Sequence, residues 1–224
     1  MMITVSSPVV GETEKRYVND CLDSGWISSI GSYVARFEKY FAKFCNVKHA
    51  ISTNNGTSAI HLALVALGIG PGDEVIVPTL GYIATANAVR YCGGTPVFID
   101  CDKETLNIDV RAIERKITRR TRAILPVHLY GHPADLDPIF ELARKHDLYV
   151  VEDAAEAHGA KYNGRSVGSI GTCAAFSFYG NKIVATGEGG MITTNEDGLT
   201  TKLRLLSRPR NGFGAHLLAF GNWL

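Results

Sequence analysis

One lysine, Lys182, stands in a sequence setting that could support covalent chemistry. It follows the apolar run 173–178 and a turn that contains Gly180, and a glycine-rich segment at 187–190 comes five residues later. A lysine that forms a Schiff base with an aldehyde must be reachable, fixed in place and able to lose its proton, and a partly desolvated pocket meets these conditions. Because most lysines are solvated surface charges, Lys182 does not establish this chemistry alone.

A second candidate for chemistry is Asp153, which follows the apolar run 148–151. A carboxylate at this point is either a helix cap or a buried anion with a cationic partner. A protonated pyridine nitrogen is such a partner, and the carboxylate would keep that ring able to accept electrons from a substrate carbanion. Glu156 could reach a hydroxyl on the same ring, or it could cap a helix that begins there.

The segment 55–58, Asn-Gly-Thr-Ser, is a candidate phosphate site because it opens a long apolar helical run. Backbone N–H groups, the hydroxyls of Thr57 and Ser58 and the positive helix terminus would hold an anion there. An ordinary helix cap is the simpler alternative for this segment taken alone. The sequence has neither a G-x-x-x-x-G-K-[ST] loop nor a strand-linked G-x-G-x-x-G, which disfavours ATP and dinucleotide loops.

Three aromatic side chains lie near these segments. Tyr82, in the loop after the strand-like run 74–78, could stack on a planar ring, although ordinary packing is equally consistent with a lone tyrosine. For His128 and His158 we expect packing or hydrogen-bonding roles rather than direct proton transfer.

Short β-branched runs alternate with helical patterns along the chain. The predicted strands are 50–53, 74–78, 96–100, 123–127 and 148–151, and the predicted helices are 12–23, 33–44, 58–67, 83–91, 110–117 and 136–146. This alternation predicts an α/β fold, a mostly parallel sheet covered by helices on both faces in three α/β/α layers. Ligands of such sheets bind at the carboxyl ends of the strands, so Asp153 and the segment 55–58 should meet in one crevice. Lys182 follows the run 173–178, whose direction periodicity does not reveal.

The composition describes a globular chain with one sizeable core and no charged partner. The chain has 224 residues, 46% hydrophobic and 20% charged, with a net charge of +1, so neither nucleic acid nor a membrane is an expected partner. The basic cluster 115–122 is most simply a solvated helix end. Five cysteines without C-x-x-C spacing predict no metal site and no disulfide framework. Together with the lack of a signal peptide or a long apolar span, they favour the cytoplasm.

Several motifs follow one another in an order that carries a family resemblance. They are Asn54–Ser58, Asp73–Thr79, His128–Pro133, Glu152–Gly159, Ser177–Lys182 and Thr186–Met191. Over residues 2–206 the chain resembles the nucleotide-sugar aminotransferase family of fold-type I pyridoxal-phosphate enzymes. Related sugar dehydratases carry histidine in place of the lysine, so Lys182 disfavours them.

The resemblance implies pyridoxal 5'-phosphate as cofactor and assigns roles to the candidate residues. Lys182 would hold the cofactor covalently and shuttle a proton, Asp153 would pair with the pyridine nitrogen, and Thr57, Ser58 and Ser177 would contact the phosphate. Glutamate would donate the amino group to a keto nucleotide-sugar, such as GDP-4-keto-6-deoxymannose, for surface polysaccharide biosynthesis. Relatives are homodimers in which the partner subunit contributes to each cofactor site.

The likeness stops near residue 206, whereas relatives continue into a small C-terminal domain. The sequence therefore predicts a large domain at 1–206, without the small domain, and a divergent tail at 207–224. Back-translation of the tail yields family-like motifs one base later, which favours a shifted reading frame. Two alternatives stay open: a truncated, catalytically inactive fragment of such an enzyme, and a generic nucleotide-binding α/β module.

Overall fold

The structure is a computed structural model that describes residues 6–207 of the chain. Its helices are α1 (Glu12–Asp23), α2 (Ser32–Cys45), α3 (Gly56–Ala66), α4 (Ala84–Tyr91), α5 (Val110–Ile113), α6 (Leu136–His146) and α7 (Asp197–Ser207). Its strands are β1 (His49–Thr53), β2 (Glu74–Pro78), β3 (Thr95–Ile99), β4 (Thr121–Ile124), β5 (Tyr149–Asp153), β6 (Lys161–Tyr162), β7 (Arg165–Ser166), β8 (Cys173–Ser177) and β9 (Gly190–Thr194). Short 3-10 turns occupy Glu114–Lys116 and Leu129–Gly131.

Seven strands form the central sheet in the order β1-β9-β8-β5-β4-β2-β3, and β6 and β7 form a separate hairpin. Strand β9 is antiparallel to its neighbours β1 and β8, and the remaining adjacent pairs are parallel. The predicted mostly parallel sheet is therefore confirmed. The strand before Lys182, β8, runs parallel to β5, so both end at the same edge of the sheet.

The sheet has a helical layer on each face. Helices α3, α4 and α7 share one core cluster with alternate strand residues, whereas α2, α5 and α6 pack on the other face in two clusters. Adjacent residues of β5 show the alternation: Val151 belongs to the first face and Val150 to the second. Burial of each such aliphatic side chain contributes roughly 1.5–3 kcal/mol. The predicted three-layer α/β/α architecture is confirmed.

Some predicted elements differ from the structure. The helix expected at 110–117 ends at Ile113 and continues as a 3-10 turn. No helix begins at Glu156, because residues 154–160 form turns, so the capping alternative for that residue is wrong. The periodicity also missed β9 and α7.

The predicted boundary at 206 falls inside α7, which continues through Ser207. The division into a large domain and a tail stays a prediction, since residues 208–224 lie outside the described part of the chain. Within residues 6–207, no helix is long and apolar enough to cross a membrane. Nor does this part of the chain hold a group of three or more His, Cys, Asp or Glu side chains that could hold a metal ion.

Candidate active site

Five strands of the sheet end at one cavity of about 760 Å³, a volume typical of small-molecule sites. They are β1, β2, β4, β5 and β8. The lining side chains that follow or end these strands include Thr57, Tyr82, Tyr130, Asp153, Glu156, Ser177 and Lys182. The expectation that the separate motifs meet at the carboxyl edge of the sheet is met in the described residues.

Lys182 lies in the loop between β8 and β9, with its side chain 16% exposed. Its Nζ donates a hydrogen bond to Glu156 Oε1 at 3.1 Å. The loop is fixed at its base, where Thr186 N donates to Phe178 O and Phe178 N donates to Gly189 O. The amine is thus partly desolvated, reachable from the cavity and held by one carboxylate.

Glu156 joins the lysine to a second loop. Its Oε2 accepts a hydrogen bond from Tyr130 N at 3.0 Å, while Oε1 accepts from Lys182. Tyr130 has a left-handed backbone (φ 50°, ψ 30°) that costs a non-glycine residue about 1–2 kcal/mol. The charged acceptor on its N–H offsets part of this strain and keeps the exposed Tyr130 ring at the cavity.

Asp153 ends β5 at the floor of the cavity and is 6% exposed. Its Oδ2 accepts a hydrogen bond from Thr85 Oγ1 at 2.6 Å, and its Oδ1 accepts from Ala155 N at 3.2 Å. Burial raises the pKa of Asp153, against the effects of these two donors, of nearby His128 and of the Lys182 charge. Within residues 6–207 this carboxyl group forms no ion pair, so a buried acid lines the cavity without a bonded cation.

The N-terminus of α3 forms a cradle suited to an anion. Asn55 caps the helix by accepting a hydrogen bond from Ser58 N at 2.8 Å. Gly56 and Thr57, whose N–H groups have no partner within the helix, line the cavity. A Cβ at Gly56 would lie 2.8 Å from Ser177 Cβ, so only glycine allows this close approach. Thr57 and Ser177 line the cavity, whereas Ser58 is not among its lining residues.

Glu152 is fully buried on the other side of β5 and is saturated with donors. It accepts hydrogen bonds from the N–H groups of Gly168, Ile170 and Gly171 and from His128 Nε2. Burial alone would raise the pKa of Glu152, but these hydrogen bonds, with the one from His128 the largest, outweigh it and lower the pKa. His128 Nδ1 accepts from Ala134 N, so the proton of the imidazole lies on Nε2. His128 has the hydrogen-bonding role expected for it.

His158 is a buried ring that packs against phenylalanines. Its centroid lies 5.2 Å from that of Phe178 and 5.3 Å from that of Phe176, and Phe41 completes the cluster. Neither ring nitrogen has a hydrogen-bond partner among the described residues. Burial, together with the Lys182 charge, lowers the pKa of His158 to about 4, although the backbone of Ser177 opposes the shift. Its role is packing, as expected from the sequence.

Sequence reasoning missed two residues of this site. Thr85 lies in the first turn of α4, where a threonine reads as an ordinary helical residue. Tyr130 was visible only as part of the segment 128–133, whose Gly131 (φ 83°) marked a turn at the end of a strand. The signal that could have found them is position: each follows a strand that ends at the cavity.

The sheet ends in a lysine, a buried carboxylate and a helix-terminal anion cradle. This arrangement defines the class of fold-type I lysine-dependent enzymes. Comparison with known proteins narrows this class to one family. Residues 8–214 match the model of the DegT/DnrJ/EryC1/StrS aminotransferase family. GDP-perosamine synthase of Caulobacter vibrioides is 61% identical over 204 residues, which cover 91% of this chain and 55% of that protein. GDP-perosamine synthase of Escherichia coli O157:H7 is 56% identical over 194 residues, 87% of this chain and 53% of that protein.

The solved structures agree with this match. Streptococcus pneumoniae Spr1654 in its PLP form superposes with a TM-score of 0.87 at 32% identity, covering 92% of this chain and 57% of that one. The chain therefore belongs to the DegT/DnrJ/EryC1/StrS aminotransferase family, whose members use pyridoxal phosphate. It spans about half the length of the curated relatives it matches.

Proposed function

We propose that the protein with this sequence transfers an amino group from glutamate to a keto nucleotide-sugar with pyridoxal phosphate as cofactor. The observation that carries the proposal is that Lys182, the buried anion of Asp153 and the α3 cradle line one cavity. A reaction of the GDP-4-keto-6-deoxymannose to GDP-perosamine type is favoured by the two GDP-perosamine synthases among the relatives. The product would enter surface polysaccharide (O-antigen, lipopolysaccharide) biosynthesis.

The side chains of the cavity fit this cofactor. The buried Asp153 carboxylate has no bonded cation among the described residues, so its unused acceptor capacity would take a cationic ring nitrogen. Thr57, Ser177 and the first N–H groups of α3 would bind the phosphate, with Ser58 supporting the turn behind them. Tyr82, exposed at the cavity, would cover one face of the ring.

Pyridoxal phosphate supplies an aldehyde and a ring that takes up electrons when it is bound. Lys182 Nζ would provide the amine that holds the aldehyde and, once displaced by the donor's amine, the base that moves a proton at the donor's Cα. Glu156 Oε1, 3.1 Å from Nζ, keeps this amine at the cavity and lies where it could meet the ring hydroxyl.

Two further features belong to the same proposal. Ile83 and Ile183, next in sequence to the cavity-lining Tyr82 and Lys182, are exposed apolar side chains that a homodimer would cover. The five cysteines are all free thiols, which fits a reducing cytoplasm. A second candidate function is cofactor binding without turnover.

Absorbance spectroscopy of the chain with added pyridoxal phosphate, before and after borohydride, tests the cofactor role. We expect a visible band that borohydride abolishes while it fixes the cofactor on the lysine as a secondary amine that survives denaturation. Both the band and the fixed cofactor should be lost in Lys182→Ala. Lys202→Ala removes an exposed lysine on α7 and should keep the band. Absence of the band in the folded wild-type chain would overturn the cofactor role. An assay of turnover with glutamate and GDP-4-keto-6-deoxymannose separates the two candidate functions. Turnover supports the aminotransferase, and cofactor binding without turnover supports the second candidate.

A further inference from the structure

Thr85 makes the shortest hydrogen bond to the Asp153 carboxylate. The threonine is buried in the first turn of α4, and its Oγ1 donates to Asp153 Oδ2 at 2.6 Å. This length is typical of a charge-assisted O–H···O⁻ bond. The only other donor to this carboxylate in the described structure is Ala155 N, at 3.2 Å.

The distribution of donors fixes the orientation of the carboxylate. Oδ2 is engaged by Thr85 and Oδ1 by Ala155, so each oxygen retains acceptor capacity toward the cavity. Burial raises the pKa of Asp153, and the hydrogen bond from Thr85 is the largest effect that opposes it. Lys182 and the nearby His128 also oppose it, and neither bonds to the carboxylate.

The same turn carries a second cavity residue. Thr85 N donates to Tyr82 O at 3.3 Å, and the Tyr82 side chain lines the cavity. One short segment thus places the Tyr82 ring at the cavity and the Thr85 hydroxyl against the Asp153 carboxylate. A shift of this turn would move both groups together.

We propose that Thr85 is a positioning residue that keeps Asp153 ionised and directs its carboxylate toward the ring of the bound cofactor. This inference rests on the proposed function only for the identity of the cofactor. The ionisation of Asp153 is a property of the protein alone and is open to measurement without it.

The test compares three variants of the full chain. Thr85→Val removes the hydroxyl but keeps the branched shape, and Thr85→Ser keeps the hydroxyl. Thr193→Val is the matched control, because Thr193 is a fully buried threonine whose Oγ1 donates at 2.6 Å to Gly168 O, not to Asp153. Should Thr85→Val fail to fold, Thr85→Ala removes the same hydroxyl.

The first readout is the ionisation of Asp153, which carbon-13 NMR of the labelled carboxyl group monitors in the cofactor-free chain. The Asp153→Asn variant assigns the carboxyl signal. We expect Thr85→Val to lower the acid dissociation constant of Asp153 about tenfold, since a hydrogen bond to a charged group is lost. Thr85→Ser and Thr193→Val should match the wild type. An unchanged titration in Thr85→Val would overturn the proposal, whether or not the chain binds pyridoxal phosphate.

The second readout is the dissociation constant of pyridoxal phosphate, with the nitrogen-15 shift of its labelled ring nitrogen. Thr85→Val should weaken binding about tenfold and move the shift toward the unprotonated ring, and Thr85→Ser should restore both. Equal affinity and shift in wild type and Thr85→Val would contradict the proposal. A wild-type chain without affinity, but with a Thr85-dependent Asp153 titration, would contradict the proposed cofactor and leave Thr85 as the group that sets the ionisation of Asp153.

Discussion

Two adjacent carboxylates on β5, buried on opposite sides of the sheet, differ in how completely their hydrogen-bonding capacity is used. Glu152 accepts four hydrogen bonds, one from a histidine and three from backbone N–H groups, and its pKa is lowered despite burial. Asp153 accepts two, and burial raises its pKa. Burial is common to both, so the number of donors decides which charge the fold stabilises.

The difference is the one expected between a structural carboxylate and a ligand-binding one. Glu152 ties the loop at 168–171 and the His128 segment to β5, and none of its four bonded partners in the described structure lines the cavity. Asp153 stands at the cavity with acceptor capacity unused. A strongly perturbed acid in a cleft is the usual mark of a ligand-binding group, whereas a saturated one marks a structural joint.

The largest effect that sharpens the comparison is the loss of the Glu152 charge. Glu152→Gln places an amide NH₂ against backbone donors and should lower the free energy of unfolding by about 3 kcal/mol, as for other broken buried charge networks. Chemical denaturation measures this loss. Glu156→Gln, a partly exposed position, is the control and should cost less than about 1 kcal/mol. Equal losses in the two variants would show that the four buried donors of Glu152 add no stability beyond that of a partly exposed carboxylate.

The pH dependence of stability extends the comparison to His158, a buried group whose ring nitrogens bond to none of the described residues. Its pKa of about 4 in the folded chain lies below its ordinary value of 6.5, so the folded state binds fewer protons in this window. Stability is then fully present above pH 6.5 and falls as the pH drops toward 4, by about 3 kcal/mol. Denaturation midpoints of wild type and His158→Phe across this range test the effect, and identical pH slopes would contradict it.

The smallest effect concerns Asp153 and has the opposite sign. Because the folded pKa of Asp153 is raised above its ordinary value of 3.8, its contribution to stability is present below pH 3.8 and is lost as the pH rises through the folded pKa. Asp153→Asn should therefore change the free energy of unfolding by less than about 1 kcal/mol near pH 4. At pH 7 the variant should gain stability relative to the wild type. A loss at pH 7 as large as that of Glu152→Gln would show that Asp153 is a structural anion too.

Much of the fold was predictable because periodicity reports burial directly. Strand β2 at 74–78 and helix α6 at 136–146 have the predicted bounds, since each pattern agrees with its tertiary setting. Strand β9 was missed because its residues, Gly190 to Thr194, are fully buried yet follow a glycine-rich loop that reads as a turn. The helix at 110–117 was overextended because the 3-10 turn Glu114–Lys116 links Ile113 to Ile117, so the apolar residues keep a helical spacing where the α-helix has already ended.

The candidate site was predictable in its residue types but not in its contacts. Lys182, Asp153 and Thr57 were named from local sequence, and the structure brings them to one cavity. The bond from Thr85 to Asp153 joins residues 68 positions apart, which no local pattern reports. The roles of these residues toward a cofactor stay predictions.

The measurement that tests the central claim most directly compares Asp153→Asn with Glu152→Gln in two assays: the dissociation constant of pyridoxal phosphate and the free energy of unfolding. We predict that Asp153→Asn weakens cofactor binding at least tenfold with nearly wild-type stability, because it removes the partner of the ring nitrogen. Glu152→Gln should lower stability and leave affinity, measured where the variant is folded, within a few fold. The reverse pattern, with affinity lost in Glu152→Gln and kept in Asp153→Asn, would contradict the account.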